Sequence, residues 1–291
     1  LAEELHFGRA AARLHMTQPP LTQAIVQLEK LLGVRLFDRT KRSVALTATG
    51  QALLPEVLEL LARAQALPEH ARAAASGELG RLRLAFVSTV GFALLPQWLR
   101  GFRALYPQVR VELTEATGDV QLQAFAGDEI DAGFMLHATG FAPAGLARHR
   151  IAQEPLVLAL PEQHPLAAAQ VLTLDAVLAE PLVIFPRRIV PSLFDAIFAL
   201  YHAAGHSPQV AQEAIQMQTI VNLVSAGLGV AWVPESVRQF QRPGVVYRAL
   251  GRQGAGGKGL AVPGCETSLV WREGSLSPSL ERFIGFVRET P

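Results

Sequence analysis

Residues 16–33 read MTQPPLTQAIVQLEKLLG, and this stretch predicts a helix that begins with two adjacent prolines. The first turn of a helix has no internal partners for its N–H groups, so Pro19 and Pro20 break no helical hydrogen bond there. If Thr17 is the N-cap, the same prolines remove the two N–H groups that its hydroxyl normally accepts from. We therefore expect the Thr17 hydroxyl to be available to a group outside the helix.

The predicted helix has two different faces when it is read at 100° per residue. One face is a stripe that we expect to be buried: Leu21, Ile25, Leu28 and Leu32. The opposite face is made of Pro19, Gln23, Val26 and Lys30, flanked by Thr22 and Gln27. Amides pair with adenine and apolar groups contact thymine methyls, so this face suits base edges in a DNA groove. An ordinary solvated face is the alternative on this helix alone.

The segment before this helix, FGRAAARLH (residues 7–15), predicts a shorter helix that carries Ala11, Ala12 and Leu14. A tight connection at His15-Met16 follows it. Small alanines let two helices cross closely, as a helix-turn-helix requires. The two segments together therefore favour a helix-turn-helix.

The segment after this helix, LGVRLFDRTKRSVALT (residues 32–47), breaks at Gly33 and then predicts two short strands around a basic turn. Arg39, Lys41 and Arg42 lie at or near the tip of that hairpin, which is called a wing. Residues 1–50 hold 7 Lys and Arg against 4 Asp and Glu. Because phosphate contacts supply most of the non-specific affinity for DNA, double-stranded DNA is the expected partner.

Residues 7–50 as a whole, FGRAAARLHMTQPPLTQAIVQLEKLLGVRLFDRTKRSVALTATG, resemble the winged helix-turn-helix of LysR-type transcriptional regulators. The resemblance implies an operator contact through one set of residues: Thr17, Gln18, Pro19, Thr22, Gln23, Arg39, Lys41 and Arg42. Gln23-Ala24 stands where the family often carries an arginine, so the operator sequence does not carry over. The chain opens at Leu1 without a methionine, and we expect the first helix to be truncated there.

The composition fits such a regulator. The chain has 291 residues, a formal net charge of +1 and one cysteine, Cys265. This length accommodates roughly two or three compact units, and one cysteine excludes a disulfide framework or a thiolate metal cluster. No uninterrupted apolar stretch reaches membrane-spanning length and no secretory signal is visible. We expect a cytoplasmic protein with no cofactor, metal or membrane partner.

Residues 48–75 read as one long helix with an apolar stripe of Leu54, Val57, Leu58, Leu61, Ala64 and Leu67. Such a stripe requires a partner helix, or else packing against the rest of the same chain. Pro55 and Pro68 each remove a helical hydrogen bond, which predicts a bend or a short interruption. In the family this segment (48–76) is the linker helix that pairs two subunits, and full-length chains are expected to form homotetramers.

Beyond SGELG (residues 76–80), strand and helix patterns alternate in the βαβ rhythm of open, mostly parallel sheets. The resemblance implies an α/β effector module of two subdomains, similar to periplasmic solute-binding proteins. After the winged domain of residues 1–47 and the linker helix, it predicts subdomain I over 80–152 and 252–291. Subdomain II then spans 153–251, with crossovers near Gln153 and near Gly251.

Ligands of such sheets bind beyond the carboxyl ends of the strands, at helix starts that favour an anion. The residues expected there are Ser88, Thr89, Thr117, Phe134, Arg148, Ile189, Val190, Pro191 and Gln216. For the hydroxyls the alternative is a helix cap, and for Arg148 it is a surface ion pair. Together they predict a mostly apolar pocket with an anion-binding end.

The second half of the chain also resembles the branch of the family that regulates the degradation of aromatic compounds. That resemblance implies a small organic acid as inducer, either an aromatic acid or a muconate-like dicarboxylate. Positions matching Ser88, Thr117, Arg148 and Val190 face the inducer in that branch. Val190 stands where an aromatic residue is found in some members, so a pocket of different shape is expected.

Other functions find less support. GAGGKG (residues 254–259) matches G-x-G-x-x-G, but no helix pattern follows it, so it is interpreted as a loop. The histidines are scattered singly and no nucleophile elbow is present, so no enzymatic activity is expected. A solute-binding protein without DNA binding is the main alternative, because it explains the effector half alone. A periplasmic-type enzyme is the other.

Overall fold

The structure is a computed structural model, and it describes residues 1–39, 43–91, 94–250, 260–274 and 276–290. The chain forms two compact units, Leu1–Arg72 and Ala73–Pro291. Some predicted features lie outside the described residues: Lys41, Arg42, the crossover near Gly251 and the loop at 254–259. After the roles that the sequence predicts for them, we call these two parts the DNA-binding unit and the effector unit.

The DNA-binding unit contains the predicted helix-turn-helix and wing. Its elements are α1 (Phe7–Arg13), α2 (Gln18–Leu32), β1 (Phe37–Arg39), β2 (Val44–Leu46) and the start of α3 (Ala48–Ser76). The turn between α1 and α2 has His15 at a φ of 54°. Strands β1 and β2 pair antiparallel from Phe37 opposite Leu46 to Arg39 opposite Val44. The hairpin predicted around the basic turn is therefore confirmed.

The small core of this unit corrects two details of the sequence pattern. Ala10, Ala11 and Leu21 are buried together, whereas Ala12 and Leu14 are exposed. The leucine stripe of α2 is buried only near its start. Leu28 is 41% exposed and Leu32 is 43% exposed, because α1 is only seven residues long and covers one end of α2.

The junction between the wing and α3 depends on a close backbone approach. Thr47 accepts a hydrogen bond from the Gly50 amide at 2.9 Å and donates to the Arg35 carbonyl at 2.8 Å. A Cβ at Gly50 would lie 2.2 Å from the Leu36 carbonyl oxygen. Only glycine lets α3 start this close to the wing.

Helix α3 runs without a break from Ala48 to Ser76 and includes Pro55 and Pro68. The interruption expected from these prolines is therefore wrong: each removes one hydrogen bond, and the bonds on either side maintain the helix. Gly50 is its one buried residue among those that the structure describes, and the leucines of its stripe face solvent. Leu58 and Leu61 are about half exposed, at 48% and 51%.

Among the helices that the structure describes, none combines the length and the hydrophobicity of a membrane-spanning segment.

The effector unit is an α/β fold of two subdomains. Its elements are β3 (Leu79–Phe86), α4 (Ser88–Gly91), α5 (Leu94–Leu105), β4 (Gln108–Glu115), α6 (Gly118–Ala126), β5 (Ala132–Ala138), β6 (Ala147–Pro161), α7 (Leu174–Leu178), β7 (Leu182–Ile184), α8 (Pro191–Ala203), β8 (Val210–Glu213), α9 (Met217–Ser225), β9 (Ala231–Pro234), β10 (Val245–Arg248), β11 (Gly264–Trp271) and α10 (Pro278–Glu289).

The long strand β6 joins the two subdomains. The strands of the large sheet bond in the order β10-β6-β11-β5-β3-β4, with β9 also paired to β6. Up to Pro155, β6 pairs with β11, and from Leu156 onward it pairs with β9 and β10. This change of partner falls two residues beyond Gln153, where the first crossover is predicted.

Pairing in the effector unit is not mostly parallel, contrary to the sequence pattern. Strands β4 and β5 run parallel to β3, and β8 runs parallel to β7. The pairs β5-β11, β11-β6, β6-β9 and β6-β10 are all antiparallel. The two strands that connect the subdomains, β6 and β11, account for the antiparallel pairs.

Each subdomain has its own core. In subdomain I, α5 and α10 pack on the sheet through Phe102, Phe134 and Phe283, and the rings of Phe102 and Phe283 meet edge to face at 5.1 Å. Subdomain II has a larger core in which Leu158, Ile197 and Val233 are 1% exposed or less. These cores fix the ends of the strands, and those ends form the cavity described next.

Candidate functional sites

The exposed face of α2 is a shallow surface with the polar and apolar groups expected for base contacts. It is lined by Gln18, Pro19, Thr22, Gln23, Val26, Gln27 and Lys30. Thr17 is the N-cap and its side chain makes no capping hydrogen bond, as predicted from the two prolines. Thr22 donates its hydroxyl to the Gln18 carbonyl at 3.0 Å, so only its methyl group and lone pairs face outward.

Arg39 lies close to the turn of the wing, as predicted, and its contact with DNA stays a prediction. It lies in β1, where its Nη2 is 2.6 Å from Oε2 of Glu29 and its guanidinium sits 5.2 Å from the centre of the Phe7 ring. Glu29 also accepts from the backbone amides of Leu36 and Phe37, at 2.9 and 3.1 Å. Glu29 therefore fastens the wing to α2, a role for which the sequence carries no local signal.

A cavity lies between the two subdomains, and we call it the first cavity. About 420 Å³ of space lies between its walls, including solvent at its open side. Its lining residues are Val87, Ser88, Thr89, Ala116, Thr117, Leu136, Phe185, Ile189, Val190, Ile215, Gln216, Met217 and Ile220. Of the residues predicted to bind the inducer, Ser88, Thr89, Thr117, Ile189, Val190 and Gln216 are thus brought together.

Three helices begin at the first cavity, and none has a side-chain cap. Thr117, Val190 and Gln216 are the N-caps of α6, α8 and α9, and none makes a side-chain capping hydrogen bond. The first N–H groups of a helix have no internal acceptor, and the helix dipole places partial positive charge there. The convergence of three such ends favours negative charge in the cavity, and the Asp119 carboxylate in the first turn of α6 offsets part of this effect.

The hydroxyls of the first cavity differ in whether their protons are already used in hydrogen bonds. Ser88 and Thr89 are 8% and 7% exposed, and the Thr89 Oγ1 is buried without a hydrogen-bond partner among the described residues. The Thr117 hydroxyl donates to Oδ1 of Asp119, so its proton is already committed. Thr89 is consequently the hydroxyl with an unused proton and no access to solvent.

Helix α6 and the turn before α8 form opposite walls of the first cavity, and they contact each other. A Cβ at Gly118 would lie 2.8 Å from the Ile189 carbonyl oxygen and 3.1 Å from the Met135 methyl. Nε of Arg188 lies 3.6 Å from Oδ2 of Asp119. The Ala138 amide donates a hydrogen bond to Ser192 Oγ at 3.1 Å. The sequence does not predict the roles of Gly118, Asp119 and Arg188, because only the tertiary fold brings α6 against the turn before α8.

Three predicted inducer contacts do not line the first cavity. The prediction that Phe134 contacts the inducer is wrong, because β5 continues to Ala138 and places the Phe134 side chain inside the core at 0% exposure. Pro191 occupies the first position of α8 and is exposed. Arg148 lies near the start of β6 and faces another cavity, which we call the second cavity, lined by Gly140, Arg148, His149, Arg150, Glu266 and Ser268.

The apolar lining of the first cavity was also missed, because its members are ordinary core residues in sequence. Leu136 and Phe185 follow buried strand patterns, and Met217 and Ile220 follow the helical pattern of α9. The one local signal is position, since each lies within a few residues of a strand end or a helix start. No group of three or more metal-ligating side chains occurs among the described residues.

Two family models match this chain. The model described as bacterial regulatory helix-turn-helix protein, lysR family, matches residues 1–51, and the model described as LysR substrate binding domain matches residues 75–291. The chain belongs to the LysR family of transcriptional regulators. It is thus a DNA-binding regulator with an effector-binding domain, and the fold expected from the sequence is confirmed.

The relatives of this LysR-type regulator cover nearly its whole length. The HTH-type transcriptional regulator IlvR of Caulobacter vibrioides is 45% identical over 290 residues, which is 99% of this chain and 94% of IlvR. AlsR of Bacillus subtilis is 35% identical over 98% of this chain and 91% of its own. The crystal structure of full-length CbnR complexed with its target DNA is 31% identical with a TM-score of 0.75, and covers 99% of this chain and 95% of CbnR.

The single cysteine of this regulator is not suited to nucleophilic chemistry. Cys265 is fully buried in β11. Burial raises the pKa of its thiol well above the usual range, and the negative charges of Glu154 and Glu266 raise it further. Because the thiolate is the reactive form, this side chain stays protonated and inert.

Proposed function

We propose that this LysR-type regulator reads its operator through the exposed face of α2 and binds a small organic carboxylate in the first cavity. Thr17, Gln18, Pro19, Thr22 and Gln23 contact DNA in this proposal, and Lys30 on the same face adds a positive charge toward the phosphates. The carboxylate shifts the arrangement of the subunits by binding one arrangement more tightly than the other.

The convergence of the starts of α6, α8 and α9 on one mostly apolar cavity carries the proposal for the carboxylate. Charge-assisted hydrogen bonds from N–H groups to a carboxylate are the stronger kind, and the buried Thr89 hydroxyl supplies one more donor. No lysine or arginine is present in the described lining, so neutral donors and helix dipoles replace a cation.

The rest of the lining favours a compact apolar body on that carboxylate. Phe185, Ile189, Val190 and Ile220 offer only hydrocarbon surface around the polar end. The enclosed volume is only about 40 Å³, so binding of such a ligand requires the two walls to move apart. We therefore propose a small aromatic or unsaturated carboxylate as the inducer class.

Helix α3 provides the expected subunit contact. Its exposed leucines form a row that a second α3 would cover, which gives a homodimer, and association of effector units then gives a tetramer. Sedimentation of the full chain against residues 80–291 tests this assembly. An equal subunit count for both would contradict a dimer held by α3.

Ligand specificity tests the main proposal. Benzoate and cis,cis-muconate, each with its amide, are titrated into the full chain by calorimetry after a thermal-shift screen over small carboxylates. We expect at least one carboxylate to raise the melting temperature and to bind much more tightly than its amide. Equal affinities of acid and amide, or no carboxylate that binds, would rule out the carboxylate.

DNA reading is tested separately with Gln23→Ala. Binding is measured on fragments selected by the protein from a random pool, and on unselected DNA. We expect the specific complex to weaken by about 1–3 kcal/mol while non-specific binding stays the same. Equal losses on both kinds of DNA would remove this face of α2 from base readout.

A further inference from the structure

The second cavity lies on one face of the central sheet, away from the residues that line the first cavity. It encloses about 740 Å³ of open space beside three strands, β5, β11 and β6. Unlike the first cavity, it contains charged side chains at its floor and at its rim. The proposal that follows does not depend on the carboxylate in the first cavity.

The floor of the second cavity is a buried carboxylate without a hydrogen bond. The Glu266 side chain is 8% exposed, and no described residue donates a hydrogen bond to it. The nearest side-chain nitrogens of basic residues are Nη1 of Arg150 at 3.6 Å and Nδ1 of His137 at 3.9 Å. A buried carboxylate normally accepts several hydrogen bonds, because burial removes it from water.

His137 does not supply the missing donor. Its Nδ1 lies 2.9 Å from the Ala138 carbonyl oxygen, which can only accept, and its Nε2 lies 2.9 Å from Ser268 Oγ. A neutral imidazole satisfies both contacts by donating to the carbonyl and accepting from the serine. Ser268 then keeps a lone pair that faces the cavity beside Glu266.

The rim of the second cavity has an excess of positive charge. Arg148 is exposed and forms no ion pair or hydrogen bond with the described residues, and Arg150 is 62% exposed. The two arginines are two residues apart on β6, so their side chains lie on the same side of the strand about 7 Å apart. Glu266 balances one of these charges and leaves the other without a partner.

We propose that the second cavity binds a free amino acid in its zwitterionic form. The ammonium donates to Glu266 and Ser268, and the carboxylate accepts from the guanidinium of Arg148. A simple anion would lie against the buried Glu266 carboxylate and be repelled. A simple amine would leave Arg148 without a partner, so a ligand with both charges fits the arrangement best.

Calorimetry on the full chain tests this proposal with the common α-amino acids, β-alanine and 4-aminobutyrate as probes. The strongest binder is compared with the two analogues that lack its amine or its carboxylate. We expect the intact amino acid to bind at least tenfold more tightly than either analogue. Absence of binding by every amino acid at millimolar concentration, or equal binding of an analogue, would overturn the proposal.

Two substitutions locate the site. Glu266→Gln keeps the size of the side chain and Arg148→Gln shortens it. Each removes one charge, and each should weaken amino-acid binding at least tenfold. Glu112→Gln on β4 is the matched control, because it removes the same charge from a partly exposed position of the same sheet. An unchanged circular-dichroism spectrum and melting temperature show that each variant folds. If Glu266→Gln binds the amino acid as the unchanged chain does, Glu266 does not hold the ammonium and the proposal is wrong.

Discussion

The two cavities of the effector unit present polar groups of different origin. The first cavity is surrounded by backbone N–H groups at the starts of α6, α8 and α9, with the hydroxyls of Ser88 and Thr89. The second cavity has formal charges on Glu266, Arg148 and Arg150. In the first, the fold itself fixes the donors, whereas in the second the donors are ends of long side chains.

This difference predicts different sensitivities. Backbone donors hold a ligand only when the helix starts keep their distances, so the first cavity should respond strongly to packing changes in its walls. Side-chain charges act over longer distances and tolerate small movements, so the second cavity should respond to charge and salt instead.

Adding one methyl group to the wall of the first cavity should have the largest effect. In Gly118→Ala, the new Cβ would lie 2.8 Å from the Ile189 carbonyl oxygen, so α6 and the turn before α8 must move apart. We expect the free energy of unfolding to fall by about 1–3 kcal/mol and carboxylate affinity to fall about tenfold or more. Urea unfolding and calorimetry measure both.

The control for this change is Gly285→Ala in α10, where a Cβ meets no atom within 4 Å. Alanine there should raise stability slightly, because it is the better helix former. Amino-acid binding in the second cavity should be the same in both variants. If Gly118→Ala left carboxylate affinity unchanged, contact between the walls would not define the first cavity.

Removing the unpartnered hydroxyl of the first cavity should have two effects of opposite sign. In Thr89→Val, a buried group without a hydrogen bond disappears, so the free energy of unfolding should stay equal or rise by about 1 kcal/mol. Carboxylate affinity should fall by about 1–3 kcal/mol, because a donor to a charged group is lost. Thermal unfolding with and without the carboxylate measures both quantities.

Thr117→Val is the matched control for Thr89→Val. The Thr117 hydroxyl already donates to Asp119, so its removal should lower stability and change carboxylate affinity less. A fall in stability for Thr89→Val as well would show that its hydroxyl is satisfied in the empty protein. The interpretation of Thr89 as the unused donor would then be wrong.

Local signals explain which residues of the first cavity the sequence predicts correctly. Ser88, Thr117 and Gln216 each directly follow a strand pattern and precede a helix pattern, so their placement needs no tertiary information. The same holds for the cap at Thr17, where the two prolines decide the chemistry. The order of strands and helices, too, follows from periodicity alone.

Tertiary pairing decides what the sequence does not predict. Strand β5 extends past Phe134 because β11 pairs with it from Cys265 to Trp271, 127 residues or more along the chain. Arg148 lies at the second cavity because β6 starts at Ala147 and pairs with β11. Such partners leave no mark in the sequence around Phe134 or Arg148.

Glu266 shows an intermediate case. It is a lone carboxylate in GCETSLVW, a strand whose last seven residues are buried, and that contrast is visible in the sequence. Its position marks it as unusual, but only the pairing with β5 and β6 identifies His137 and Arg150 as its neighbours. The local sequence thus shows that Glu266 is an unusual residue, whereas only the fold shows which side chains it contacts.

A charge outside the first cavity should affect it modestly. Nε of Arg188 lies 3.6 Å from Asp119, which also accepts the Thr117 hydroxyl at the cavity wall. Arg188→Gln leaves the Asp119 carboxylate unbalanced near the bound acid, so carboxylate affinity should fall about threefold, or less than about 1 kcal/mol. The amide of the same ligand should bind equally well to both proteins.

The neighbouring arginine is the control for this experiment. Arg187 forms two hydrogen bonds of 2.7 Å with Asp195 on its own subdomain, so Arg187→Gln should not change carboxylate affinity. Asp119→Asn should raise it, because the repelling charge is removed. Equal effects of Arg187→Gln and Arg188→Gln would point to general screening at the protein surface.

The smallest effect should come from salt, and it compares the two cavities directly. Raising ionic strength from about 0.1 to 1 M shortens the screening length from about 10 to 3 Å. The second cavity relies on exposed Arg148 and half-exposed Arg150, so amino-acid affinity should fall about two- to fivefold. The donors of the first cavity are buried, and carboxylate affinity should change less than about twofold. Calorimetry in potassium chloride and again in potassium fluoride separates screening from competition by the salt anion at the helix starts. Equal salt dependence at both cavities would mean that the first one also relies on exposed charge, with Arg188 as the nearest source.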